Sequence, residues 1–413
     1  MAIPAGRAAA NRVTEAKGGH AGHLRQQNLE RVQAFAMDHP GPFNRAALIQ
    51  ATGLSGPTVG SLVSLLIRRG LVRDLGTGPS RGGRKPFVME FNARYGFVAG
   101  IALGSTKTQL AVADLRGERL AQLTIPTPSE LGPRALLTHV ATATRSLLRE
   151  TNVPPGRLLA LGVGAPGAVD RDRGMVVALA PNLKGWSNVP VGTILRKALG
   201  APVVVENDVN LAVLGERWRG TARGHDTCAF IRVGTGIGAG IMSHGVLHRG
   251  HRCLAGEIAL MCMGPQFVDT DFGSRGCLET LAGLKALARS WPHRAGDDPE
   301  RWLAEMFEAA RRGDRRVLKA IDRVATLVGI AAANLSLVLD PSLIVLGGVV
   351  AAESPLFVQQ VRKIVHRIVP ARTEIVVSTL GEDATLWGSL QLATNEARER
   401  LRPSLKDARM LED

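Results

Sequence analysis

The spacing of apolar positions changes along the chain, and each change marks a different kind of structure. From position 24, "LRQQNLERVQAFAMDH" sets Leu29, Val32, Phe35 and Ala36 on one helical face, which "PGP" at 40–42 ends. "NRAALIQATG" offers Asn44 as N-cap, a short apolar face through Leu48 and Ile49, and Gly53 as a stop. In "LSGPTVGSLVSLLIRRG", Val59, Leu62, Val63 and Leu66 recur at steps of three and four, with Ser55 or Gly56 as cap and Gly70 as terminator. Three short helices with a glycine-containing turn before the third predict a helix-turn-helix. Two β-prone arms, 71–75 and 86–91, around a basic, glycine-rich tip make it a winged one.

From Tyr95 the pattern becomes alternating strands and helices. "FVAGIALGSTKTQLAVADLRGERLAQL" reads as three strands, "PRALLTHVATATRSLLRE" as a helix and "LLALGVGAPG" as a further strand. A second such run starts at Cys228 with "CAFIRVGTGIGAGIMSHGVLHRG", passes through helices at about 278–291, 301–311 and 315–338, and ends on "SLIVLGGVV". Strands followed by helix, strand and helix, twice over, is the order of a two-lobed actin-like, hexokinase-like ATPase fold with a cleft between its lobes. The expected organisation is α/β: a disordered arm at 1–23, a winged helix-turn-helix at 24–92, and a first lobe at 95–206 completed by a helix at about 385–400. A second lobe at 207–384 would hold ligand-binding and dimerisation elements, and 401–413 would be a tail.

Charge sharpens the reading of the N-terminal module. The chain carries 51 Lys and Arg against 36 Asp and Glu, a net of +15, and residues 1–90 hold +7 of it in under a quarter of the length. That density favours a polyanionic partner, double-stranded DNA. The third helix of a winged module enters the major groove, so Pro57, Thr58, Gly60, Ser61 and Ser64 would face base edges. All five are small or weakly polar, so base readout by them is modest. Arg81, Arg84 and Lys85 on "SRGGRKP" would reach phosphates or a narrow minor groove. No apolar run approaches the roughly 18 residues of a membrane span, and the N-terminus lacks the apolar core of a secretory signal, so a cytoplasmic protein without a membrane partner is expected. Cys228, Cys253, Cys262 and Cys277 lack CxxC spacing and read as reduced thiols.

"RAALIQATGLSGPTVGSLVSLLIRRGLV", "GVGAPGAVD", "APNLKGWSNVPV", "VENDVNLAVLGE", "VGTGIGAGI", "AGEI", "GCLE" and "LDPSLIVLGGVV" together resemble the ROK family of repressors, open reading frames and sugar kinases, over about residues 24–395. With a winged module in front, the resemblance implies a transcriptional repressor, working as a dimer or tetramer. It implies sugar-binding roles for Asn182, Asn207, Asp208, Glu257 and Glu279, groups suited to the hydroxyls of a polyol. Asp208 matches the family's catalytic base, and Gly234, Thr235, Gly236, Ile237 and Gly238 match its second phosphate loop, whose amides could hold an anion.

Departures from the family pattern point away from phosphoryl transfer. Family kinases resemble D-x-G-G-T in the first phosphate loop, whereas this chain reads Ala102, Leu103, Gly104, Ser105 and Thr106. The carboxylate on the magnesium side is gone, and a side chain stands where backbone must approach phosphate. In the zinc motif, Leu260 replaces the His, Thr270 and Phe272 replace two Cys, and Cys277 alone persists. One thiolate cannot hold a tetrahedral zinc, and a substitute set of His251, Cys253, Cys262 and Cys277 has no recognised spacing. Leu260 and Phe272 would staple the loop by apolar packing instead. Neither zinc nor ATP with magnesium is expected as a cofactor. The leading expectation is a sugar-modulated DNA-binding regulator without kinase activity; the alternatives are a sugar kinase with a DNA-binding appendage and a ligand-independent DNA-binding dimer.

Overall fold

In the computed structural model, which describes residues 8–77, 87–292 and 299–402, the chain divides into two compact units. Unit one takes its described residues from Met1–Phe97, Asp114–Glu118 and Asn395–Asp413; unit two is Val98–Ala113 with Arg119–Thr394.

Unit one is built from helices α1 (Ala8–Asp38), α2 (Arg45–Thr52) and α3 (Gly56–Arg68) and strands β1 (Phe43–Asn44), β2 (Val72–Thr77) and β3 (Phe87–Phe91). The strands form a sheet in the order β1-β3-β2, the wing, against which the helices close a core of Leu29, Val32, Leu48, Leu62, Leu66 and Met89. Where a disordered arm is expected at 1–23, α1 instead begins at Ala8. Residues 8–23 contain no proline and open on a run of alanine, the strongest helix former, so the helix continues backward from Leu24. The C-terminal end also departs from the expected division, because it belongs to unit one. Arg398 Nη1 pairs with Asp38 at 2.8 Å, and Gln33 Nε2 donates to the Leu401 carbonyl at 2.7 Å.

The cap of α2 carries a testable share of this unit's stability. Asn44 Oδ1 accepts from Ala47 N at 2.9 Å, satisfying one of the amides a helix start leaves open. Asn44→Ala is expected to lower unfolding stability by about 1 kcal/mol, and Asn44→Asp to retain most of it, measured by urea denaturation.

Unit two contains two five-stranded sheets of the same design. The first lobe has β4 (Phe97–Leu103), β5 (Lys107–Asp114), β6 (Arg119–Pro126), β7 (Leu158–Ala165) and, after the hairpin β8 (Ala168–Asp170) and β9 (Met175–Ala178), β10 (Val203–Asn207). The second has β11 (Cys228–Val233), β12 (Ile237–Ser243), β13 (Val246–Leu247), β14 (Leu343–Gly347) and β15 (Glu374–Val377). Their orders, β10-β7-β4-β5-β6 and β15-β14-β11-β12-β13, correspond strand for strand. In each, the first strand is central and leads into a meander, and the last two lie on its other side. This is the two-lobed ATPase fold expected from the repeated pattern.

Helices α4 (Pro133–Glu150) and α5 (Val191–Leu199) belong to the first lobe, and α6 (Asp208–Arg219) leaves the end of β10. In the second lobe, the stretch expected as one helix at 278–291 is two, α7 (Cys277–Ala282) and α8 (Leu284–Ala288), because Gly283 is extended between them. Then follow α9 (Pro299–Arg311), α10 (Arg315–Leu339), α11 (Val349–Glu353) and α12 (Pro355–Ile368). Among the described residues α10 alone is long and apolar enough to cross a membrane, and its Ile321, Val324, Val328 and Ala332 instead fill the lobe's core beside Phe357 and Val361. The last helix, α13 (Ala384–Arg400), returns to the first-lobe sheet, where Ser389 Oγ donates to the Ile101 carbonyl at 3.0 Å.

Candidate functional site

The equivalent turns β4–β5 and β11–β12 both open on one cleft in unit two. Asn182, Asn207, Asp208, Glu257 and Glu279, read from the sequence as sugar ligands, all line it, as do Thr235 and Gly236. Gly234 does not; its amide donates to the Gly236 carbonyl at 3.0 Å and its carbonyl accepts from Leu284 N at 3.1 Å.

The "END" segment is held by its own hydrogen bonds. Asn207 caps α6, its Oδ1 accepting from Val209 N at 2.9 Å and Asn210 N at 3.0 Å, while its Nδ2 donates to the Gly167 carbonyl at 3.0 Å. One Nδ2 proton therefore remains for a ligand, and the main service of Asn207 is to seat Asp208 on the first turn. Beneath it, the buried Glu206 accepts from Asn207 N and from Asn210 Nδ2, both at 3.0 Å, and from Arg249 Nε at 2.7 Å. Arg249 thereby ties the segment that leads to Glu257. That segment then passes so close to β12 that a Cβ on Gly256, at φ 88°, would lie 1.9 Å from the Ala239 carbonyl oxygen. Glycine is needed there, and it fixes where Glu257 enters the cleft.

Sequence reading missed Arg232. This residue of β11 pairs through Nη1 with Asp208 Oδ2, and its Nη2 donates to Thr385 Oγ1 at 2.7 Å. The signal was one cation in the otherwise apolar "CAFIRV". The carboxylate that matches a kinase base already has a guanidinium partner.

The second phosphate loop is also engaged. Glu279 Oε2 accepts from Ile237 N at 3.0 Å, so an amide expected to hold an anion is occupied by a carboxylate of the same chain. Burial pushes the Glu279 carboxyl above its usual range, and the Ile237 amide and the Arg275 and Lys285 charges offset part of that rise. Glu257 is raised further, from the usual 4.5 to about 7, first by burial and then by Asp208 and Glu279. The lining is rich in hydrogen-bond acceptors and poor in free cationic charge, an environment that takes neutral hydroxyls more readily than phosphate.

The ROK family model matches residues 98–396. The chain belongs to the ROK family. It is 32% identical to a glucokinase of Thermotoga maritima, over 71% of this chain and 96% of that one. It is 30% identical to the xylose repressor of Caldicellulosiruptor bescii, over 90% of this chain and 96% of the repressor. The crystal structure of a ROK family transcriptional regulator homologous to the Escherichia coli MLC protein covers 95% of this chain and all of its own, with a TM-score of 0.74 and 23% identity, a likeness of fold.

Ala102 is buried in β4, and Ser105 lines the cleft mouth beside Gly104. These residues and the occupied Ile237 amide do not fit a magnesium nucleotide. In the zinc motif no three His, Cys, Asp or Glu side chains converge as metal ligands among the described residues. Apolar stapling is only half as expected: Phe272 meets Phe267 edge to face at 5.9 Å, but Leu260 is 40% exposed on the cleft wall. Cys277 is buried on α7, and Cys228, in the core, is raised to about 11, chiefly by burial.

On α3, Pro57 and Ser61 are exposed while Thr58, Gly60 and Ser64 are half-buried. The Thr58 hydroxyl meets Oγ of the N-cap Ser55 at 2.8 Å, and Ser64 Oγ donates to the Gly60 carbonyl at 2.9 Å, so both hydroxyls already have local partners. Arg45, also missed, lies beside this surface. Its Nη1 is 3.9 Å from where a Gly60 Cβ would stand, and its guanidinium is 5.4 Å from the Phe87 ring centroid. Arg81, Arg84 and Lys85 lie outside the described residues.

Proposed function

We propose that this chain is a DNA-binding transcriptional regulator, a repressor, whose interlobe cleft takes a neutral sugar and does not transfer phosphate. One observation carries the reading: a winged helix-turn-helix precedes a sugar-kinase-like cleft in which Glu279 occupies the Ile237 amide and Arg232 occupies Asp208. The xylose repressor relative supports it, matching 90% of this chain, whereas the glucokinase match spans 71% of it. Asn182, Asn207, Asp208, Glu257 and Glu279 are the proposed sugar contacts; Pro57, Thr58, Gly60, Ser61, Ser64, Arg81, Arg84 and Lys85 are the proposed DNA contacts. A dimer fits the two-fold symmetry common in operators.

The test begins with a duplex selected from a random pool by the full chain, followed by titration at fixed salt with and without D-xylose, D-glucose and other sugars. At least one sugar is expected to change duplex affinity and to raise the melting temperature. If no duplex is enriched, or every sugar leaves affinity unchanged, the reading fails. The kinase reading rests on Asp208 and the Thr235–Gly236 turn. A coupled assay with ATP, magnesium and the same sugars is expected to give no turnover above background.

A further inference from the structure

We infer that Arg232 is a positioning residue that couples an occupant of the cleft to helix α13. This rests on the sugar-binding reading above and adds how binding is felt beyond the cleft.

The network is closed and small. Arg232 Nη1 holds Asp208 Oδ2; its Nη2 donates to Thr385 Oγ1 at 2.7 Å and lies 3.4 Å from the Asp208 carbonyl oxygen. Thr385 Oγ1 in turn donates to that carbonyl at 3.0 Å. Arg232 and Asp208 line the cleft and retain some exposure, at 28% and 13% of their side chains, whereas Thr385 is buried on the first turn of α13 and does not line it.

A sugar hydroxyl that donates to Asp208 competes with the Arg232 guanidinium for the same carboxylate. The planar fork of an arginine serves two acceptors in fixed directions, so a change at Asp208 re-aims the donor that holds Thr385. Helix α13 is one continuous element that supplies Ala384–Thr394 to unit two and its last residues to unit one, where Arg398 binds Asp38 of α1. A shift at its first turn is therefore carried along the helix that ends against the DNA-binding unit's own α1. Allosteric coupling needs two sites and an element that both of them bias, and α13 is that element here.

Thr385→Val tests the inference most directly, since it keeps the Arg232–Asp208 pair and removes only the group that links the pair to α13. Arg232→Lys is the second variant; one ammonium keeps the charge beside Asp208 but lacks the fixed fork that links the two acceptors. Each full-length variant is titrated with the selected duplex, with and without D-xylose and D-glucose, and its melting temperature is read with the same sugars. For both variants the sugar-induced change in duplex affinity, about 5- to 150-fold for typical coupling, is expected to fall under about 2-fold, and for Thr385→Val, whose side chain does not line the cleft, the sugar-induced melting shift stays close to that of the unmodified protein. A Thr385→Val protein that responds on DNA like the unmodified one overturns the inference, and so does loss of the melting shift, which would make the network part of the binding contact. An unmodified protein that responds to no sugar overturns the sugar-binding reading itself, and the inference with it.

Discussion

Gly388→Val is expected to leave unit two unable to reach its native packing. A Cβ at position 388 would stand 1.8 Å from the Leu211 carbonyl oxygen and 2.5 Å from its carbon, and both are backbone atoms that no rotamer change can move. The reciprocal contact is equally close: a Cβ on Gly215 of α6 would lie 2.1 Å from the Ala384 carbonyl oxygen. Helices α6 and α13 thus cross with backbone against backbone. On its other side α13 is held as tightly, since a Cβ on Gly162 of β7 would meet the Ser389 carbonyl oxygen at 2.0 Å. With backbone contact on both faces, an added side chain at the crossing can be accommodated only by lifting α13 off the first-lobe sheet. The cost should exceed the roughly 1 to 3 kcal/mol of ordinary overpacking and reach about 5 kcal/mol, comparable with the whole stability of many domains. Gly132→Ala is the control, because a Cβ there meets nothing within 4 Å; it should change stability by less than about 1 kcal/mol. Urea denaturation followed by circular dichroism reads both. A Gly388→Val protein with an unchanged midpoint would refute this account of the crossing.

The parts of this molecule that were legible in the sequence are those set by neighbours along the chain. Val59, Leu62, Val63 and Leu66 recur at helical spacing and are buried on α3, and Asn44 caps α2 as its side-chain chemistry requires. The repeated order of strands and helices reproduces two sheets of matching strand order, since each strand's apolar run must be covered by the helix that follows. What the sequence hid depends on partners far apart in it. Arg232 finds Asp208 across 24 positions and Thr385 across 153; nothing local in "CAFIRV" names either partner. Asp38 and Arg398 meet across 360, which is why the C-terminal end looked like a tail or a first-lobe helix and is part of unit one. The glycine loop shows the same limit. Its spacing signals exposed amides, but only the fold brings Glu279 to Ile237 N.

Glu257→Gln is expected to stabilise the protein above neutral pH and to leave it unchanged in acid. Burial, then the charges of Asp208 and Glu279, raise the Glu257 carboxyl from 4.5 to about 7. The folded state therefore holds this proton more tightly than the unfolded chain does, so between these two values the folded protein binds the extra proton. Stability falls as pH rises through that window, and above about pH 7 the full penalty is present. The rise corresponds to about 3 kcal/mol, reduced to about 2 kcal/mol because the cleft is open to solvent. Glutamine has the shape but no charge, so the variant should exceed the unmodified protein by about 2 kcal/mol at pH 8, with the two curves converging below about pH 4.5. Glu279, raised in the same direction, should leave a shallower fall in the variant. Melting temperatures of both proteins across this range are the measurement, and parallel curves would contradict the electrostatic origin of the effect. The same substitution should weaken sugar binding, because the amide gives up one of the two carboxylate acceptors a pair of neighbouring hydroxyls would use. A carboxylate that costs the fold stability at neutral pH and improves binding when a polyol arrives is the pattern expected of a residue kept for its ligand.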